Sequence, residues 1–137
     1  MSWICPDCGR RFGRRGQSHE CAPALTLEEY FATADPRERP IFEAVAGHLR
    51  SLGEVHVEAV AVGIFLKRNG GFVELRPLTR WVALSFPLDR RLDDPRIARV
   101  PVRSGSRWYH VVNLRDAVDV DDQVRDWLSQ AWDVVPP

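Results

Sequence analysis

All three cysteines of the chain, Cys5, Cys8 and Cys21, fall within its first 21 residues, and His19 stands among them. No thiol follows in the rest of the 137 residues. The spacing is Cys-x2-Cys, ten residues, then His-x-Cys. Thiolate and imidazole donors in groups of four are what tetrahedral zinc takes. Pro6 fixes one backbone angle inside the Cys5–Cys8 turn, and Gly9 supplies freedom just after it. His19 and Cys21 are two apart, so an extended backbone points both the same way. Four protein donors leave no open coordination position. The predicted cofactor is therefore one structural Zn²⁺ held by Cys5, Cys8, His19 and Cys21 in a small module over residues 1–24. Iron fits such a site less well once one donor is imidazole. A redox Cys-x2-Cys pair needs only two thiols and normally opens a helix of a larger domain. A disulfide leaves one cysteine over.

Between the ligand pairs lies GRRFGRRGQS. Arg10, Arg11, Arg14 and Arg15 surround Phe12, a composition that can contact phosphate and stack on a base. The same arginines can simply keep a small module solvated, with Phe12 as its own minimal core. Three thiolates and one Zn²⁺ bring the module to only about +1. Any nucleic-acid contact here is expected to be weak.

The whole chain has a formal net charge of zero, which argues against a general polyanion binder. No apolar run is long enough to span a membrane, and no apolar stretch of a signal peptide precedes the cysteines. Unpaired cysteines at metal spacing predict a reducing, cytoplasmic setting. Among nineteen cationic side chains eighteen are arginine and one, Lys67, is lysine; this reads first as a composition effect.

After the linker Ala22–Ala24, Thr26-x-x-Glu29 is a capping box that opens a short helix. Asp35 and Pro36 predict the cap and first position of a longer one. Ile41, Val45, Leu49 and Leu52 form its apolar stripe, and Gly53 its stop. From Val55 the pattern becomes β-branched. Asn69–Gly71 marks a hairpin turn. FVELRP, RWVALSFPL, IARVPV and RWYHVVNL read as further strands. Asp119 and Asp122 can cap a last helix carrying Trp127 and Trp132. The order predicts an α+β fold over residues 25–137. It has a mainly antiparallel sheet of about five strands, two helices before it and one after it.

ERPIFEAVAGHLRSLGEVHVE, RRLDDPRIARV and NLRDAVDVDDQVRDWLSQAW resemble a bacterial family, the domain of unknown function numbered 5655, over roughly residues 26–134. Some members carry a Cys-x2-Cys knuckle before the domain, similar to the one here. The resemblance implies a compact α+β fold similar to the small YdhG-like domains, and no defined activity. Many members have a polar Thr-Lys-Thr-like stretch where this chain has Val60–Val62, so no polar ligand role carries over there.

The strands offer one further candidate ligand face. His56 and Glu58 share one side of a strand, as do Glu74 and Arg76, and Arg107 and Tyr109. If these converged, Glu58 could act as a base and Arg76 or Arg107 could hold an anion. Cross-strand ion pairs on a solvent face are the plainer reading. The sequence thus points first to a non-enzymatic zinc-containing binding or adaptor protein, its partner a protein or a small anionic ligand and not a membrane. A small enzyme acting on an anionic substrate, and a weak nucleic-acid binder using the arginine loop, are the alternatives.

Overall fold

The computed structural model describes residues 2–69 and 71–136, with Gly71 described by its backbone alone. Helix α1 (Leu27–Thr33) begins at the capping box. Thr26 Oγ1 accepts from the Glu29 N–H, and the Glu29 carboxylate accepts from the Thr26 N–H. Helix α2 (Glu38–Leu52) starts two residues beyond Pro36. Asp35 instead closes the preceding turn, its carboxylate accepting from the Arg37 N–H while Glu38 reaches back to the Asp35 N–H. Ile41, Phe42, Val45, Ala46 and Leu49 give α2 a continuous buried stripe. Gly53 ends it. A Cβ at Gly53 would lie 2.6 Å from the Trp132 ring, so this stop is also a close-packing point between α2 and the last helix.

Beyond a short N-terminal hairpin, β1 (Trp3–Ile4) and β2 (Arg11–Phe12), six strands follow: β3 (His56–Val60), β4 (Gly63–Lys67), β5 (Gly71–Pro77), β6 (Val82–Leu88), β7 (Val102–Ser104) and β8 (Arg107–Leu114). They form one antiparallel sheet in the order β3-β4-β5-β6-β8-β7. The predicted turn at Asn69–Gly71 joins β4 to β5, with Gly70 outside the described residues. The expected strand over IARVPV is shorter than its composition suggests. Only Val102–Ser104 pairs as a strand, and Ile97 makes a single bridge to Val112. After a 3-10 turn at Ala117–Asp119, helix α3 (Asp122–Val134) is capped by Asp121 rather than Asp119. Val124, Trp127, Leu128, Ala131 and Trp132 are its buried face. Among the described residues no helix is long and apolar enough to cross a membrane.

Alternation decides which side of the sheet each residue takes. Ile64, Leu66, Val73, Leu75, Leu84, Phe86, Val112 and Leu114 join α2 and α3 in one core. His110 belongs to this side. It is fully buried, stacks on Phe86 at 5.6 Å, and accepts the Leu92 N–H at 2.9 Å. Its desolvation lowers the imidazole pKa below the ordinary value. His48 pairs with Ser129 at 2.8 Å between α2 and α3. The opposite side of the sheet carries His56 and Glu58 on β3, Phe65 and Lys67 on β4, and Glu74 and Arg76 on β5. The N-terminal segment lies there.

Candidate metal centre and the sheet face beneath it

A two-stranded hairpin, β1 (Trp3–Ile4) with β2 (Arg11–Phe12), frames the first ligand pair. Between the strands, the Gly9 N–H donates to the Cys5 carbonyl at 2.8 Å, and the Cys5 N–H donates to the Arg10 carbonyl at 2.9 Å. Gly9 has φ +73°, which only glycine adopts at low cost, and so the Cys5–Cys8 turn closes just after the second thiol. Trp3 lies 6.1 Å from both Phe12 and His19, and His19 stacks on Phe12 at 3.9 Å. Trp3 thus packs within its own segment.

The ligand atoms of Cys5, Cys8, His19 and Cys21 all lie within 4.8 Å of one another. The Cys5 and Cys21 sulfurs are 3.7 Å apart. His19 Nε2 is 3.5 Å from the Cys8 sulfur and 3.2 Å from that of Cys21. A tetrahedral ion with Zn–S bonds of about 2.3 Å and a Zn–N bond of about 2.0–2.1 Å has S···S edges of roughly 3.8 Å and S···N edges of roughly 3.6 Å. The observed separations are close to those edges. His19 Nδ1 lies 2.6 Å from the Gln17 carbonyl, so Nδ1–H donates and Nε2 keeps its lone pair for a metal. All three cysteines are free thiols. The Cys8 backbone N–H pulls Cys5 down to about 7, while hydrogen bonding to Cys5 pushes Cys21 up to about 11. Crowded thiols cannot all ionise without a cation between them, which a divalent metal supplies.

The segment is seated on the sheet by Glu58. This carboxylate is 3% exposed and accepts four hydrogen bonds. Oε1 takes Arg10 Nε at 3.1 Å and Lys67 Nζ at 2.8 Å; Oε2 takes the Arg11 N–H at 2.7 Å and His56 Nε2–H at 2.9 Å. Two donors per oxygen saturate it. Lys67, 2% exposed, also donates to the Arg11 carbonyl and stands 4.3 Å from the Phe12 ring centre. Arg10 lies 5.2 Å from the ring centres of both Phe12 and Phe65. The chain's one lysine thus places a compact ammonium between Glu58 and the Arg11 carbonyl. Leu25 adds to the same contact, its N–H donating to the Ala59 carbonyl at 2.7 Å at the β3 edge.

These positions revise several sequence expectations. Arg10 and Phe12 are buried against the sheet rather than displayed on a basic loop, and Arg11 is half-buried. Of that group only Arg14 and Arg15 are exposed. His56, Glu58 and Arg76 do not converge with Arg107 and Tyr109: β8 is separated from β3 by β4, β5 and β6 and from β5 by β6, and Arg76 lines a different cavity from Arg107 and Tyr109. Arg107 and Tyr109 line a separate 290 Å³ cavity with Gly13, Gln17 and Asn69. Glu58 has no free lone pair with which to take a proton from a substrate. Lys67 and Phe65, which complete the seat, were not anticipated; the one available signal was a lone lysine two residues from an aromatic on a strand.

Burial alone would raise the Glu58 carboxyl. Hydrogen bonds from Lys67 and the Arg11 N–H, the Lys67 charge and the Arg10 hydrogen bond outweigh it and hold the group at about 2. Burial likewise pushes Lys67 down from its ordinary value, against the attraction of Glu58. A carboxyl lowered from 4.5 to about 2 stabilises the fold above about pH 4.5, and that contribution is lost as pH falls toward 2. The unfolding free-energy difference between wild type and Glu58→Gln is therefore expected to be flat near neutral pH and to shrink below about pH 4.5. Denaturant titrations measure it; acid release of the metal, which takes Arg10 and the Arg11 N–H away from Glu58, adds to the same fall. A difference that stays constant to about pH 2.5 would contradict the seat.

Residues 27–135 match the model of a family described as Domain of unknown function (DUF5655). The matched span begins beyond Cys21, so it contains Glu58 and Lys67 but none of the four candidate metal donors. No curated protein and no solved structure matches the chain.

Proposed function

The chain belongs to the family of domains of unknown function DUF5655, and we propose that it is a non-enzymatic binding protein whose first 24 residues form a structural zinc module. Residues 25–137 form the domain that carries it. The reading rests chiefly on the donor set: three sulfurs and one imidazole nitrogen, its tautomer set by the Gln17 carbonyl, all within 4.8 Å of one another and three of the pairs 3.2, 3.5 and 3.7 Å apart. Thiolate-rich donors with one imidazole favour zinc over iron. Four protein ligands leave no place for a substrate on the metal, which supports a structural role. A thiol-rich zinc site suits the reducing cytoplasm. The non-enzymatic reading is supported by the saturation of Glu58, the carboxylate best placed to act as a base. A nucleic-acid role is disfavoured because Arg10 and Phe12 face the sheet. The partner is then a protein or a small anion.

Metal analysis of protein purified without added metal tests this reading. One equivalent of zinc per chain is expected in the wild type and in His48→Ala and His56→Ala, and little in Cys8→Ser or Cys21→Ser. Zinc loss from either histidine variant would overturn the donor assignment.

A further inference from the structure

Between the N-terminal segment and the sheet lies a cavity of 330 Å³. That is the small end of the range of ligand sites, room for roughly ten water molecules. Phe12 and Phe65 form aromatic walls, and Val60, Ala61 and Val62 an apolar side. Arg10 and Lys67, both buried, line the interior; Arg76, exposed, lines the mouth.

The lining restricts the occupant. Arg10 gives Nε to Glu58 and Nη1 to the Glu20 carbonyl, and among the described residues Nη2 has no partner. Arg76 gives Nε and Nη2 to Glu74, and among the described residues Nη1 has none. Two guanidiniums on one cavity therefore each keep a donor in reserve. The acidic groups nearby do not meet this demand: Glu58 is saturated, and Glu20 is exposed and lines the mouth. A neutral apolar guest would cover the unpartnered donors of Arg10 and Arg76 without replacing their water. Inorganic phosphate would satisfy the cations but leave the phenylalanine and valine walls uncovered. A compact anion with a flat apolar body satisfies both.

Building on the zinc-module reading, we propose that this cavity binds a small aromatic carboxylate, its ring against Phe12 and Phe65 and its carboxylate between Arg10 and Arg76. The segment held by the metal supplies one wall and the sheet the other. Only the folded, seated segment makes the site.

The test uses the full zinc-loaded chain, labelled with ¹⁵N and titrated in parallel with 1-naphthoate, 1-naphthalenemethanol and inorganic phosphate. Zinc is measured on each sample. 1-Naphthoate is expected to shift the Gln17, Val60, Ala61 and Val62 amides saturably. The alcohol should bind about tenfold or more weakly, and phosphate should give no saturable shift at those amides. Arg76→Gln, a change at an exposed residue, should weaken naphthoate about tenfold and leave the alcohol unaffected. Val62→Trp should fill the cavity and abolish both responses. Equal binding of acid and alcohol, indifference to Arg76→Gln, or no shift at those amides overturns the ligand assignment. If zinc stays at one equivalent in such a sample, the metal module stands and only the ligand falls. If zinc is absent, both fall.

Discussion

Replacing Glu58 with alanine is expected to release the N-terminal segment from the sheet while leaving its metal bound. The carboxylate holds Arg10, the Arg11 N–H, Lys67 and His56 at once. Truncation leaves two buried cations, Arg10 and Lys67, facing each other without their common anion. Breaking a buried pair in this way costs about 3–5 kcal/mol. The chain can avoid most of that cost by lifting the segment off, which returns both cations to water. The four metal donors lie within the segment and do not depend on Glu58. Hydrogen exchange at the Arg11 amide reads the outcome directly, since that N–H donates to Glu58. In Glu58→Ala it should exchange as a solvent-exposed amide, with zinc content unchanged. An Arg11 amide still protected in the variant would contradict the seat. Glu58→Gln, which keeps one acceptor oxygen, should fall between the two.

Stripping the metal from the wild type is expected to unfold residues 2–24 and to leave a cooperative melt from the rest. The hydrophobic core and the partly buried residues packed on it begin at Leu27, and none comes from the N-terminal segment. That segment has little apolar interior beyond Cys5, Phe12 and Trp3, so its folding energy must come mainly from the metal. Its loss removes Arg10 and the Arg11 N–H from Glu58 but leaves Lys67. The remaining transition should therefore persist with a midpoint lower by several degrees, as follows from about 1 kcal/mol or more of lost interaction. Far-UV dichroism during strong chelation measures both parts. Disappearance of the main transition would place the segment within the core instead.

What the sequence disclosed and what it concealed divide along the range of the interactions. The Thr26–Glu29 capping box and the α2 stripe are local patterns; the box is present as read, and the stripe is buried from Ile41 to Leu49 while Leu52, read as its last member, is exposed. The grouping of Cys5, Cys8, His19 and Cys21 is legible because ligand spacing is itself a local constraint. The start of α3 was harder. Asp116, Asp119, Asp121 and Asp122 are all chemically able to cap it, and the choice is tertiary: Arg96 Nη1 reaches both oxygens of Asp121 at 2.9 Å. The seat was harder still. Arg10 stands in a run that reads as solvated surface, and its partner lies 48 residues away. Nothing in the spacing announces that pairing. The register of β3 on β4 brings Lys67 opposite His56 and Phe65 opposite Glu58, which places the lysine and the aromatic under the hairpin.

The central claim is a single tetrahedral site made by Cys5, Cys8, His19 and Cys21 of one chain, and cobalt substitution tests it most directly. Co²⁺ is added stepwise to the metal-free protein under reducing conditions while the absorption spectrum is followed. Three thiolates and one imidazole should give strong sulfur-to-metal charge transfer and the intense visible bands of tetrahedral cobalt. Both should saturate together at one equivalent per chain, and zinc should displace the cobalt one for one. Weak octahedral bands, absent charge transfer, or saturation at half an equivalent with two chains sharing one ion would contradict the account.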